Sequence, residues 1–282
     1  MNEGKNIIRG GYWDGRVVFS EVDSPSERNR ELRAHQSSVS AMAVDAREQV
    51  LITGSKNGDV IVWKNSDFEC SIDTQNSSSM DGSDQAHKSA ATNWFIFKQV
   101  NDHDRQVSCI FINNEMCLFV TGSFDGTVNL YNLHSAKLLR SFSHPTLAPI
   151  YSVVLAQNPL AICAFFSRED HLWNSFSING KLLTDLSKLT NRQERTTNQR
   201  VLTEDCSHVI SPQVIKDSYH MDKLVYGTEK GYIVLRMLPS MLRFRRLQVS
   251  NDLPVLTVLV SPDRRFLHVG CGDGGLIVIQ AK

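Results

Sequence analysis

A short turn ending in glycine recurs along this chain, each copy preceded by an apolar run and followed by an alternating strand. Well-separated copies fall 43 residues apart, and helical periodicity between them is weak. These observations predict an all-β fold, a β-propeller of about six recognisable blades belonging to a seven-bladed ring.

The clearest copy reads Ile52-Thr53-Gly54-Ser55-Lys56-Asn57-Gly58-Asp59-Val60-Ile61-Val62-Trp63. It returns as Val120-Thr121-Gly122-Ser123-Phe124-Asp125-Gly126-Thr127-Val128-Asn129-Leu130-Tyr131. Weaker copies run from Val225 to Leu235 and from Val269 to Ile279, and another opens the chain from Ile7 through Gly15 to Phe19. Each copy is a β-hairpin. Asn-Gly or Asp-Gly supplies the positive φ of a tight turn, and β-branched and aromatic flanks favour strands. Val60 and Val62 share a face, as do Val128 and Leu130, because strand side chains alternate.

Spacing orders the units. Asp14 to Asn57 is 43 residues, and so is Lys230 to Asp273. Asn57 to Asp125 is 68 residues, and the excess is an insertion at 71–91, rich in Ser, Asp, Asn and Gln and without apolar periodicity. Asp125 to Asp170 is 45 residues; Asp170 to Lys230 is 60, and holds a second polar run at 191–200. One domain, 1–282, then divides into units at about 1–33, 34–101, 102–143, 144–187, 188–250 and 251–282.

Lysine plus arginine equal aspartate plus glutamate at 30 each, so the net charge of zero points to no nucleic acid or anionic surface. No stretch approaches the ~20 apolar residues that span a bilayer, and Met1 to Gly10 has no apolar run of secretion-signal length. The six cysteines form no C-x-x-C pair, and several sit in strand-like runs. They read as buried thiols of a cytoplasmic protein rather than a disulfide framework or zinc site.

The hairpins resemble WD repeats. In that family a His before the first strand, a Ser or Thr on the second, an Asp in the next turn and a Trp on the third form a hydrogen-bonded set. The resemblance implies the set His35, Thr53, Asn57 and Trp63 in the second unit, and His103, Thr121, Asp125 and Tyr131 in the third. The fourth keeps His144, with Glu169 or Asp170 near its turn, while the last two units have lost the His and the Trp. No unit ends in Trp-Asp; the literal pair Trp13-Asp14 lies in a turn. A closer resemblance is to the C-terminal propeller of BEACH-domain, neurobeachin-like proteins. It rests on Arg9-Gly10-Gly11-Tyr12-Trp13-Asp14, on Asp102-His103 with Thr121-Gly122-Ser123, and on Phe176-Ser177-Ile178-Asn179-Gly180-Lys181-Leu182, and spans nearly the whole chain.

Catalytic motifs are wanting. Gly270, Gly272 and Gly275 satisfy G-x-G-x-x-G, but a strand follows where a dinucleotide site needs a helix and a later acid. No G-x-S-x-G elbow, H-E-x-x-H helix or Walker loop appears, and the nine histidines lack ligand spacing. Neither cofactor nor metal is expected. In Met241-Leu242-Arg243-Phe244-Arg245-Arg246-Leu247 the alternation fits an outermost strand with arginines facing water; stacking on RNA bases is the alternative.

The expected function is a non-enzymatic protein-interaction scaffold. The BEACH resemblance implies vesicle and membrane trafficking, an upstream BEACH domain as possible partner, and indirect recruitment to endomembranes. A scaffold in RNA processing or a ubiquitin ligase is the alternative. The first unit opens on its second strand, Asn6 to Gly10, and the last shows no outer strand after Leu276 to Gln280. An incomplete ring is therefore expected, its missing strands lying upstream of Met1, as the BEACH resemblance also implies.

Replacing 71–91 by a short Gly/Ser bridge should preserve a cooperative thermal transition, since loop-closure entropy changes slowly with length. Loss of that transition would show the segment to be structural.

Overall fold

The computed structural model describes residues 6–10, 13–21, 30–45, 49–65, 94–144, 146–157, 162–167, 172–185, 209–216, 222–239, 243–261 and 263–280. The runs at 71–91 and 191–200, with Glu169 and Asp170, lie outside them.

All regular structure among the described residues is strand, in six antiparallel sheets. The first holds β1 (Asn6–Arg9), β2 (Arg16–Glu21) and β3 (Arg30–Arg33). The second holds β4 (Val39–Val44), β5 (Val50–Ser55), β6 (Val60–Asn65) and β7 (Trp94–Val100). The third holds β8 (Val107–Asn113), β9 (Leu118–Ser123), β10 (Thr127–Asn132) and β11 (Leu138–Ser143). The fourth holds β12 (Ile150–Ala156), β13 (Ile162–Ser167), β14 (Leu172–Ser177) and β15 (Leu182–Asp185). The fifth holds β16 (Ile210–Ile215), β17 (Lys223–Gly227), β18 (Tyr232–Met237) and β19 (Arg243–Gln248). The sixth holds β20 (Val255–Val260), β21 (Phe266–Cys271) and β22 (Leu276–Gln280). Within each sheet, sequence neighbours pair in order. Leading strands pack on leading strands: β4 on β8, β8 on β12, β12 on β16 and β16 on β20. That is the blade arrangement of a propeller.

The core lies between sheets, one cluster per junction. Val17, Phe19 and Leu32 meet Leu51, Ile61 and Trp63 between the first and second. Ile52, Val60 and Val62 meet Val107, Phe119 and Tyr131 between the second and third. Alternate residues of one strand thus serve opposite junctions, which is why β5 and β6 are buried at nearly every position instead of alternating buried with exposed.

Two devices bring neighbouring sheets close. A side chain built at Gly54 would lie 2.5 Å from Val107 Cγ1, and one at Gly122 would lie 2.8 Å from Ile150 Cγ2. Each glycine therefore receives the β-branched residue that opens the next leading strand. Gly10 meets Val39 in the same way, which puts β1 in a second-strand position. Register shifts fall between Val39 and Ala41, Val107 and Cys109, Ile150 and Ser152, and Val255 and Thr257. Such a bulge turns the extra residue out of the ladder. Ser40 Oγ then donates to Val107 O at 2.6 Å, and Ser108 Oγ to Ile150 O at 2.5 Å.

Gly126 and Gly274 both have φ of 83°, so alanine meets equal backbone strain at each. A side chain at Gly126 would stand 2.5 Å from the Leu147 backbone, whereas one at Gly274 meets nothing within 4 Å. In this chain Gly126→Ala should cost about 1–3 kcal/mol more than Gly274→Ala, the overpacking range, in chemical denaturation. Equal costs would show that the blade junction does not constrain the turn.

Candidate functional site

The third sheet assembles its polar set most fully. His103 Nε2 lies 2.7 Å from Thr121 Oγ1, and Nδ1 lies 3.1 Å from Asp125 Oδ2 and 2.9 Å from Thr127 Oγ1. The Asp125 carboxylate also accepts from Asp104 N at 3.0 Å and Thr127 N at 2.7 Å. Burial opposes its charge, but the hydrogen bonds from His103 and Thr127 hold the carboxyl well below the usual carboxylate range. Tyr131 OH donates to Asp102 Oδ2 at 3.1 Å. Burial first, then the Asp102 carboxylate, raises the Tyr131 phenol. Hydroxyl, imidazole and carboxylate stand here in the order of a nucleophilic triad. Yet Thr121 and the His103 side chain are fully buried, so the set ties a strand to a turn and presents no nucleophile to a substrate.

The second sheet repeats part of this. Thr53 Oγ1 lies 2.7 Å from His35 Nε2 and accepts from Trp63 Nε1 at 2.9 Å. Asn57, placed in the set by its turn position, stands outside it. Asn57 is exposed, and its backbone N–H donates to Ser55 Oγ at 3.2 Å. His35 Nδ1 is buried without a hydrogen-bond partner. An amide offers no carboxylate to draw an imidazole proton, and the charge that acts on His35 is Asp59, two residues on. Burial lowers the His35 pKa from 6.5 to about 4, against a smaller opposing pull from Asp59.

Register shows what replaces the Thr–Trp pair elsewhere. In the fourth sheet the pair is Phe165 and Phe176, stacked at 5.5 Å, with His144 edge-on to Phe165 at 6.3 Å. In the fifth it is Tyr226 and Arg236, with Arg236 Nε donating to Tyr226 OH at 2.8 Å although Arg236 is fully buried. In the sixth it is Val269 and Ile279. These pairs escaped a search for His and Trp. The available signal was their spacing of ten residues, as in Tyr226 and Arg236, with one residue more in the fourth sheet.

The other motifs resolve as packing. Gly270 lies in β21 and Gly272 to Gly275 form the β21–β22 turn, where Asp273 Oδ1 accepts from Gly275 N at 2.8 Å. Arg243–Gln248 is the outermost strand of the fifth sheet; Arg245 is exposed and Arg246 lies 3.5 Å over the Tyr232 ring. Cys109, Cys117, Cys163 and Cys271 are free thiols. Among the described residues no group of three or more His, Cys, Asp or Glu is placed to hold a metal.

One exposed surface is the end of the sheets bearing the second-to-third-strand turns and the entry loops of the leading strands. The turn at Gly58 abuts the His103 and Arg105 carbonyls, and that at Gly126 abuts Leu147. Trp13 is 85% exposed in such a turn, and Leu147 and Leu253 are 60% and 40% exposed in such loops.

Residues 2–281 match the family model of the neurobeachin beta propeller domain. The chain belongs to the neurobeachin β-propeller family. This neurobeachin-type propeller is 23% identical to BEACH domain-containing protein B of Arabidopsis thaliana over 269 residues, 95% of this chain and 9% of that protein. It is 21% identical to BEACH domain-containing protein lvsE of Dictyostelium discoideum over 280 residues, 98% of this chain and 11% of that protein. The neurobeachin-type propeller therefore spans about a tenth of the length of these relatives. A chain in the crystal structure of the Mitotic Checkpoint Complex superposes with TM-score 0.67 at 15% identity, covering 99% of this chain and 72% of that one, a likeness of fold.

Asp125→Ala should cost about 1–3 kcal/mol, since it strands buried donors; an unchanged denaturation midpoint would remove Asp125 from any structural role. The unfolded chain protonates His35 near pH 6.5, whereas the folded chain resists until about pH 4. The unfolded state therefore binds more protons in that window, and His35 costs stability progressively as pH falls through it. His35→Gln should flatten the stability profile between pH 6.5 and 4; a parallel profile would show that His35 charges freely when folded.

Proposed function

We propose that this propeller is a non-enzymatic scaffold for protein partners within a BEACH-family protein of vesicle and membrane trafficking. The observation that carries the reading is the family match over residues 2–281, together with polar sets buried inside the blades. Rigid blades hold the turns between them as fixed contact points, the usual placement of binding residues on loops. The partner face is the end carrying Trp13, Leu147 and Leu253, because its turns and entry loops expose a large aromatic and aliphatic side chains, the residue types of interface anchors. An upstream BEACH domain is one proposed partner. The protein works in the cytoplasm, peripheral to endomembranes and recruited through partners, without direct contact to nucleic acid. Trafficking rests on the relatives' BEACH domains and on no site of this chain.

Proximity labelling by this chain in cells, with and without Trp13→Ala, tests the proposal. Sorting and vesicle proteins should be enriched, and Trp13→Ala should weaken their capture at least tenfold, as loss of an anchor does. The variant should keep stability within about 0.5 kcal/mol, as expected of an exposed position. Enrichment of RNA-processing or ubiquitin-ligase subunits, or capture indifferent to Trp13→Ala, would overturn it.

A further inference from the structure

The outermost strands carry a pattern that the blade repeat does not require. In register, no residue of the third strand opposes Phe97 in β7, Leu139 in β11 or Leu183 in β15. Each is the extra residue of a bulge, which breaks the two-residue alternation and re-aims side chains. Each also follows a second large apolar residue, so the bulges carry the pairs Ile96–Phe97, Leu138–Leu139 and Leu182–Leu183. Ile96, Phe97, Leu138, Leu139 and Leu182 are 46%, 37%, 40%, 50% and 36% exposed. An outermost strand ordinarily turns charged and polar side chains to water. These bulges turn apolar ones.

Cations flank every pair. Lys98 follows the first, Lys137 and Arg140 bracket the second, and Lys181 precedes the third. The whole chain is balanced in charge, yet residues 94–100, 132–143 and 175–184 contain no aspartate or glutamate. Among the described residues none of these four cations is ion-paired with a carboxylate. Two of them reach across the rim instead. Lys98 Nζ donates to Ala136 O at 3.0 Å, and a side chain built at Gly180 would lie 2.7 Å from Arg140 Nη1. Ala136 and Gly180 belong to the third-to-fourth-strand turns of the following sheets, so these contacts join the three bulges into one arc. Pairing with an added strand does not suit this arc, because each bulge interrupts the free edge.

We propose that this arc is a second interaction surface, which seats directly on an anionic phospholipid bilayer. The bulged apolar pairs enter the boundary between headgroups and acyl chains. The flanking lysines and arginine meet lipid phosphates, with no carboxylate beside them to repel the lipid charge. Lysine suits these positions because its apolar stem follows the leucines while its ammonium stays among the headgroups. The arc lies on outer strands and on the turns opposite those bearing Trp13, so a protein and a membrane are held at separate places. The contact adds to recruitment through partners and does not depend on it.

Flotation of this chain with vesicles of phosphatidylcholine alone, or of phosphatidylcholine with phosphatidylserine, tests the proposal. The phosphatidylserine vesicles should carry the chain up the gradient, less so as salt rises, and the phosphatidylcholine vesicles should not. Lys137→Glu with Lys181→Glu should weaken that capture about tenfold or more, since each basic residue near the surface contributes severalfold. Leu138→Ser with Leu139→Ser should weaken it while leaving its salt dependence in place. Lys56→Glu with Lys230→Glu, the same change of charge on exposed turns at the other end, should leave it unchanged. Equal capture by both kinds of vesicle, capture by neither, indifference to the rim pairs, or as large a loss with the turn pair would overturn the proposal. Retention of an acidic protein through Lys137 and Lys181, with vesicles uncaptured, would assign the arc to protein and overturn it as well. Leu182→Ser repeats the apolar readout from β15 should thermal melting show that the β11 pair disturbs folding.

Discussion

Close approach of one sheet to the next is the constraint on which the rest of this fold depends. Where β-branched Val107 and Ile150 press into the bare backbone at Gly54 and Gly122, no side chain fits between the sheets. Both faces of a central strand are then buried, so its side chains must be apolar or, like Thr53 and Thr121, hydrogen-bonded within the blade. The bulge that frees Ser40 and Ser108 follows from the same geometry, since each hydroxyl then bonds a carbonyl of the adjacent leading strand. The fourth blade carries Phe166 at the glycine's register position and meets the fifth through Trp173 and Tyr226, so size and shape rather than a signature residue hold it in place.

The second-strand and third-strand pair shows that tolerance. Thr53 and Trp63 share a hydrogen bond, Phe165 and Phe176 stack, Tyr226 and Arg236 share a different hydrogen bond, and Val269 and Ile279 are aliphatic. Each pair is internally matched: a polar group meets a polar group, or an apolar group meets an apolar one. A buried donor without its acceptor would cost about 1–3 kcal/mol, so a half-substituted pair would destabilise its blade. His144 illustrates the coupling, resting edge-on to Phe165 where His103 bonds Thr121. The degenerate repeats are thus alternative solutions of one packing problem.

Much of this was legible in the sequence, for local reasons. Asn57-Gly58 and Asp125-Gly126 announce their turns because only glycine takes positive φ without strain, and 95° and 83° are found there. The strands of the last unit follow from alternation and turn position alone. The fold class was readable because the period of the turns is a property of the whole chain. What stayed hidden depends on partners distant in sequence. Turn position alone does not distinguish Asn57 from Asp125, yet one is exposed and the other is held by His103. Nothing local announces that Ser40 would reach a carbonyl 67 residues away. Arg236 reads as a solvated charge until Tyr226 is set beside it across the hairpin.

A scaffold of this kind works by keeping its blades fixed while its turns are occupied, so junction rigidity underlies any partner recognition. A double-mutant cycle across one junction measures that rigidity, using Gly122→Ala, Ile150→Ala and the pair in chemical denaturation. Gly122→Ala crowds Ile150 Cγ2, which Ile150→Ala removes, and Cys109 Sγ of its own sheet, which stays in both variants. The two changes should therefore compensate, the double variant being more stable than the sum of the single losses by about 0.5–3 kcal/mol. Strict additivity would mean that the sheets do not meet at this contact, and would contradict a fold held together by close approach between successive blades.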